Sequence, residues 1–201
     1  MTNELPKTLW QMAGVTRTAP AWDQAVLLLI DHQNDYVDGA LPLSGIGQAV
    51  TVIEKLLAAA RAHGAPVVHV RHVSKPGAPL FAQGSRGVEF IARIAPQGNE
   101  AVVDKTLPNS FAGTTLQDVL TGLGRKELLV AGFMTHNCVS STVRAALDFG
   151  YASTVVGDAT ATRDLPAIGG GVLPAAVLQQ ASLTALSDRM ALVVNSETVL
   201  A

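Results

Sequence analysis

The sequence shows few of the features that are typical of secreted, nucleic-acid-binding or membrane-spanning proteins. Its 201 residues include one cysteine, which cannot form an internal disulfide and so favours a reducing compartment. Acidic and basic residues nearly balance, giving a formal net charge of −2 with no basic run, which argues against nucleic acid as a partner. The apolar run at 25–30 is too short to cross a membrane, and the first residues lack the pattern of a signal peptide. We therefore expect a cytoplasmic protein with no membrane partner.

Apolar residues greatly outnumber charged residues in this chain. They make up 48% of the chain against 15% for charged residues, and the mean hydropathy is +0.31. This composition excludes disorder and predicts extensive burial, including surface between subunits, so we expect a homo-oligomer, either a dimer or a tetramer. The length suits one domain over residues 1–201, with residues 1–24 as an N-terminal arm packed on the body or on a neighbouring subunit.

Short apolar strands alternate with helical patterns along the chain. The uninterrupted run at 25–30 is typical of a central strand covered on both faces. Five further strands are predicted, and helices are expected between them; the strands lie at 67–70, 101–103, 128–131, 153–156 and 190–194. Repeated strand–helix–strand units predict an α/β fold, a three-layer α/β/α Rossmann-like sandwich around a six-stranded parallel sheet.

Polar side chains follow four of the predicted strands, namely Asp31, His72, Lys105 and Cys138. In an open parallel sheet, ligands bind beyond the carboxyl ends of the strands, where the strand order reverses. Three of these groups suit one another chemically. A carboxylate can take the proton of a thiol, and an ammonium can stabilise both the thiolate and negative charge that develops on a substrate.

Cys138 is predicted to lie in the first turn of a helix, with Thr135 or Asn137 as the N-cap. The free N–H groups of a helix start carry partial positive charge, so the position is expected to favour a thiolate. Taken alone, each of Asp31, Lys105 and Cys138 also has an ordinary structural explanation, as a loop cap, a solvated cation and a core residue. Their common place at one edge of the sheet favours chemistry.

Three stretches of the sequence resemble the isochorismatase-like cysteine hydrolases, which include nicotinamidases, N-carbamoylsarcosine amidohydrolase and ureidoacrylate hydrolases. These stretches are Leu-Leu-Ile-Asp-His-Gln-Asn-Asp-Tyr around Asp31, Lys-Thr-Leu-Pro-Asn-Ser-Phe-Ala-Gly-Thr from Lys105, and Gly-Phe-Met-Thr-His-Asn-Cys-Val around Cys138. The resemblance implies a catalytic triad of Asp31, Lys105 and Cys138, and the sheet order 3-2-1-4-5-6. It also implies a cis peptide at Phe133–Met134, and an oxyanion hole formed by the backbone N–H groups of Met134 and Cys138.

The resemblance further implies a reaction, since relatives that cleave the vinyl ether of isochorismate commonly lack the cysteine. Cys138 therefore favours hydrolysis of an amide or ureido C–N bond in a small molecule, through a thioester and without a cofactor. An isochorismatase-type vinyl ether hydrolase remains an alternative. So does a redox or binding protein that uses the same thiol on the same fold.

The substrate pocket and any metal site are less sharply defined by the sequence. Candidates for the pocket lie near the right strand ends or loops: Tyr36, His72, Phe81, Phe111, Phe133, His136 and Arg163. Nicotinamidases bind a metal through an Asp and histidines after the second strand, and the Asp-x-His pattern is missing here. His69 and His72 are three apart on a strand and point to opposite faces, so we expect no metal site.

Overall fold

The computed structural model describes residues 5–201, which form an α/β fold around one parallel sheet. Its six strands are β1 (Ala25–Ile30), β2 (Val67–His72), β3 (Ala101–Lys105), β4 (Glu127–Phe133), β5 (Ala152–Ala161) and β8 (Ala191–Val194), while β6 (Leu165–Pro166) and β7 (Val172–Leu173) form a separate hairpin. The six strands run β3-β2-β1-β4-β5-β8 across the sheet, and each neighbouring pair is parallel. Counting only sheet strands, this is the predicted order 3-2-1-4-5-6, so the fold class and the strand order are confirmed.

Helices cover both faces of the sheet and give the predicted three layers. They are α1 (Leu9–Met12), α2 (Ile46–Ala62), α3 (Leu116–Leu123), α4 (Ser140–Asp148), α5 (Ala175–Ser187) and α6 (Glu197–Leu200). Strand β1 is buried along its whole length because its alternate side chains enter two different cores. Leu27 and Leu29 pack with α2 on one face, and Val26 and Leu28 pack with α3 and α4 on the other. This two-sided burial explains why β1 reads as an unbroken apolar run.

Two boundaries differ from the sequence prediction. Strand β5 continues to Ala161, five residues beyond the predicted end, after a register shift against β4. The last long helix begins at Ala175 instead of residue 172, because Val172–Leu173 (β7) pairs antiparallel with Leu165–Pro166 (β6) in a small hairpin. Both differences depend on pairing with distant segments, which the local pattern does not carry.

The N-terminal arm lies against the body of the same chain in the described residues. The N–H groups of Leu9 and Trp10 donate to the side chain and the backbone carbonyl of Asp188, at 2.8 and 3.2 Å. These contacts fix α1 beside the end of α5. Across residues 5–201, no helix combines the length and apolar character needed to cross a bilayer.

One glycine is required where β4 passes β1. Gly132 has φ +117°, and a Cβ placed there would lie 2.1 Å from the carbonyl oxygen of Ile30. Because no side chain fits that space, Gly132 allows the two central strands to run side by side up to the edge where Asp31 and Cys138 follow.

Candidate active site

Asp31 marks the carboxyl end of the central strand. Its backbone N–H donates to the carbonyl of Val70 at 2.9 Å, and its φ of +51° turns the chain out of β1. Asp and Asn are the non-glycine residues that adopt this left-handed conformation most readily. The carboxylate is therefore held at the sheet edge by main-chain geometry, in a position without solvent exposure.

Lys105 brings the predicted triad together. It is the last residue of β3, and its ammonium lies 2.8 Å from Asp31 Oδ2, 3.3 Å from Cys138 Sγ and 3.1 Å from His72 Nδ1. Exposure is 0% for Asp31, 2% for Lys105 and 4% for Cys138, so water contributes little to their solvation. One buried cation thus neutralises a carboxylate and contacts a thiol at the same point.

The same geometry resembles a metal site in which an ammonium takes the central position. Single ligand atoms of Asp31, His72 and Cys138 all lie within 4.8 Å of one another. Lys105 contacts all three residues and supplies the positive charge between them.

Cys138 lies in the first turn after β4, as predicted, but the turn is built differently. Residues Thr135–Val139 form a π-helical turn that continues into α4, and both Asn137 and Val139 donate their N–H groups to the Met134 carbonyl. The prediction that Thr135 or Asn137 is the N-cap was wrong. Met134 occupies that position, and the Thr135 hydroxyl donates instead to the Ala161 carbonyl at 3.0 Å. The wider turn is a known feature of functional sites in helices.

The peptide bond between Phe133 and Met134 is cis, as the resemblance implied. Met134 is buried at the junction between β4 and the turn that carries Cys138. The assignment of the Met134 and Cys138 N–H groups to an oxyanion hole stays a prediction.

The prediction that Cys138 is a thiolate was wrong for the protein without substrate. Burial and the charge of Asp31 raise the pKa of the Cys138 thiol to about 12, and these effects exceed the opposing effect of Lys105. Burial also raises the pKa of Asp31, with Lys105 acting in the opposite direction. The Asp31 carboxyl and the Cys138 thiol therefore each oppose ionisation of the other, and both are less acidic here than in water.

Four aromatic rings pack against one another beside this cluster. Phe81 contacts Tyr36 edge-on at 5.1 Å and tilts against His72 at 5.4 Å, and Tyr36 contacts Phe133 edge-on at 5.9 Å between ring centres. Burial and the charges of Asp31 and Cys138 raise the pKa of Tyr36, so it remains a neutral phenol. The structure thus brings four of the seven predicted pocket residues together.

His136 and Arg163 lie at a second side of the same region. His136 Nδ1 is 2.6 Å from the Thr162 hydroxyl, and burial followed by the charge of Arg163 lowers the histidine pKa. The charge of Arg163 also acts on Tyr36, although its one described hydrogen bond is to the Asp164 carbonyl.

Phe111 lies apart from these residues. Its ring packs on Phe149 at 4.9 Å and on Tyr151 at 6.0 Å. Tyr151 immediately precedes β5, at the amino end of the sheet, whereas Cys138 follows the carboxyl end of β4. These contacts identify Phe111 as part of the core on the α4 face.

Sequence reasoning missed the residue that holds Phe81 in place. The buried carboxylate of Asp35 accepts the Phe81 N–H at 2.6 Å and the Ala40 N–H at 3.2 Å, and Phe81 has φ +52°. Gly39 and Gly87 press against Asp35 so closely that a Cβ at either would overlap it. Only Gly39 lies near Asp35 in the sequence, whereas Phe81 and Gly87 lie far along the chain, so the local sequence carries little signal of this contact.

A chain of hydrogen-bonded polar side chains on the sheet face opposite to Lys105 was also not predicted, and its two histidines are fully buried. His32 Nε2 lies 3.0 Å from His69 Nδ1, and His69 Nε2 lies 2.9 Å from Glu100, which is paired with Arg61 at 2.8 Å. Burial lowers the pKa of both histidines. His69 and His72 do point to opposite faces, as the strand period predicted, since one contacts His32 and the other Lys105.

Comparison with known proteins shows the family to which the chain belongs. The family model of the isochorismatase domain matches residues 25–198. The chain belongs to the isochorismatase family. Relatives of this isochorismatase-family hydrolase include the secreted isochorismatase effector Isc1 of Verticillium dahliae, 37% identical over 94% of this chain and 96% of that protein. A streptothricin hydrolase of Streptomyces noursei is 36% identical over 94% of this chain and 76% of its own length.

A solved structure of the isochorismatase family has the same architecture. The crystal structure of an isochorismatase from Pseudomonas putida KT2440 matches with a TM-score of 0.93 and 39% identity, covering 97% of this chain and 100% of that one. The predicted family and fold are therefore confirmed.

Proposed function

We propose that this isochorismatase-family hydrolase cleaves an amide or ureido C–N bond of a small molecule, with Cys138 as the nucleophile and without a cofactor. The observation that carries the proposal is the position of Lys105, which contacts a buried carboxylate at 2.8 Å and the only thiol of the chain at 3.3 Å. A buried carboxylate beside a thiol and an ammonium is an arrangement suited to nucleophilic catalysis.

In the first step, Asp31 takes the proton of Cys138 as the sulfur attacks the carbonyl carbon of the substrate. The raised pKa of both groups suits this transfer, because neither is strongly acidic and Lys105 stabilises the negative charge on either. A tetrahedral intermediate forms, and its oxyanion accepts hydrogen bonds from the backbone N–H groups of Met134 and Cys138.

In the second step, the intermediate collapses to a thioester. The C–N bond breaks, and Asp31 returns the proton to the leaving nitrogen, which departs as ammonia or an amine. A water molecule then gives its proton to Asp31 and attacks the thioester carbonyl, releasing a carboxylic or carbamic acid and restoring the thiol. The rings of Tyr36, Phe81 and Phe133 enclose a small planar substrate beside the sulfur.

Release of ammonia or amine from a panel of small amides, ureido acids and biuret-like compounds tests the proposal. The panel includes ureidoacrylate, because the sequence resembles its hydrolases, and streptothricin, because a relative is named for its hydrolysis. Wild-type protein should turn over at least one member, and Cys138→Ala should lose that activity while keeping its fold. Full activity in Cys138→Ala would refute the cysteine mechanism.

Isochorismate belongs in the same panel as the test of the vinyl ether alternative. Its cleavage by both wild-type protein and Cys138→Ala, with no C–N substrate turned over, would favour that reaction. A Cys138 that peroxide oxidises in a protein without any hydrolase activity would favour the redox alternative.

A further inference from the structure

His72 contacts the catalytic cluster with only one of its two ring nitrogens. Its Nδ1 lies 3.1 Å from the Lys105 ammonium. Among residues 5–201, no group forms a hydrogen bond with its Nε2, although the ring is half-buried beside Phe81. Nδ1 therefore contacts Lys105, and Nε2 has no hydrogen-bond partner among the described residues.

Hydrogen-bond chemistry determines which nitrogen carries the proton. An ammonium donates and has no lone pair, so Nδ1 must accept from Lys105. A neutral imidazole with an accepting Nδ1 carries its proton on Nε2. Burial and the charge of Lys105 lower the pKa of His72, which keeps the ring in this neutral form.

The ring orientation is fixed from the backbone outward. The His72 N–H donates to Gln33 Oε1 at 2.9 Å, and the Gln33 amide returns a hydrogen bond to the His72 carbonyl at 2.8 Å. Gln33 is fully buried and also donates to the Val88 carbonyl at 2.7 Å. With Phe81 on one side and Lys105 at Nδ1, the Nε2–H group has a defined direction instead of many rotamers.

We propose that the two ring nitrogens of His72 have separate roles, one toward Lys105 and one toward the substrate. Its Nδ1 positions Lys105, and its Nε2–H donates a hydrogen bond to an oxygen of the substrate. This inference rests on the proposed function and adds a specificity to it. The substrate carries a carbonyl, ureido or carboxylate oxygen next to the scissile group, and an ammonium in that position is rejected because two donors would face each other.

Two substitutions separate the two roles. In His72→Asn, the side-chain oxygen takes the place of Nδ1 and can accept from Lys105, but the Nε2–H donor is lost. In His72→Gln, the amide N–H takes the place of Nε2, and the acceptor for Lys105 is lost. His63→Asn, at an exposed histidine beyond α2, is the matched control.

Three measurements apply to wild-type protein and all three variants. The first is the tautomer of His72, from nitrogen NMR of histidine-labelled protein, with the signal assigned by its loss in His72→Asn. The second is the pH profile of Cys138 alkylation by iodoacetamide, which is specific because the chain has one cysteine. The third is kcat and KM on a substrate identified by the panel.

The proposal expects an Nε2–H tautomer in wild-type protein near neutral pH. It expects His72→Asn to keep the wild-type alkylation profile and to raise KM by about tenfold, the usual effect of one lost hydrogen bond. It expects His72→Gln to be alkylated more slowly than wild-type protein at each pH, because Lys105 is less well placed beside the sulfur, with a smaller change in KM.

An Nδ1–H tautomer or an imidazolium at neutral pH would overturn the proposal, as would equal changes in both variants. Failure of the proposed function gives a different result. If wild-type protein turns over no C–N substrate, the proposed function and the substrate role of His72 are both refuted. The tautomer and the alkylation profile then still test whether His72 positions Lys105.

Discussion

Replacing Asp31 by Asn should abolish hydrolysis and, at the same time, lower the pKa of the Cys138 thiol. The two effects have one cause. Asp31 is the proton acceptor that the reaction needs, and its negative charge opposes a thiolate in the free protein. Asn has nearly the same shape and no charge, so Lys105 is left with the sulfur as its only anionic partner.

The size of the shift follows from the distance. The carboxylate and the sulfur lie within 4.8 Å of each other. Two charges at this separation repel by about 3.5 kcal/mol at an effective dielectric constant of about 20, which corresponds to roughly 2.5 pKa units. Starting from about 12 in wild-type protein, the thiol of Asp31→Asn should titrate at about 9.5.

The assay is the rate of iodoacetamide labelling of Cys138 as a function of pH, followed by mass spectrometry. The rate for wild-type protein should still be rising at the highest pH at which the fold persists, whereas the rate for Asp31→Asn should level off. Asp38→Asn, at an exposed aspartate paired with Arg86, is the control and should follow wild-type protein. An unchanged or higher thiol pKa in Asp31→Asn would refute the electrostatic account.

Three further predictions test the fold and assembly. Gly132→Ala should cost roughly 3 kcal/mol or more of unfolding free energy, because its Cβ would lie 2.1 Å from the Ile30 carbonyl. Gly122→Ala, on α3 with open space around it, should be neutral or stabilising in the same urea titration; equal losses would contradict the packing argument. His32 and His69 have lowered pKa values, so the unfolded state binds more protons below pH 6.5. As the pH falls below about 6.5, the unfolding free energy should therefore decrease by about 1.4 kcal/mol per pH unit for each histidine that stays neutral in the folded protein. A flat profile between about pH 7 and about pH 5 would contradict this. The homo-oligomer stays a prediction that light scattering decides, with a monomer at micromolar concentration as the contrary result.

The sequence predicted the sheet and the triad because each depends on a local feature. A central strand buried on both faces reads as an apolar run, and the first polar residue after it lies at the functional edge of the sheet. Asp31 directly follows such a run, Lys105 ends the edge strand β3, and Cys138 lies in the turn after β4. Parallel strands end at the same edge of a sheet, which favours a common site, and the family resemblance implied the triad and the order of the strands.

The features that were missed depend on contacts between distant segments. The Asp35 carboxylate binds an N–H group 46 residues away at Phe81, and His32 meets His69 across 37 residues. Neither contact leaves a periodic pattern. The thiol pKa was misjudged for a related reason, since the start of a helix is visible in sequence while burial beside a carboxylate is a property of the folded site.

The proposed reaction passes through a covalent thioester between Cys138 and the substrate. Rapid acid quenching during turnover, followed by peptide mapping, measures it directly. The account predicts an acyl adduct on the peptide that contains Cys138, present in wild-type protein and absent in Asp31→Asn. Turnover without any adduct, together with retained activity in Cys138→Ala, would contradict it.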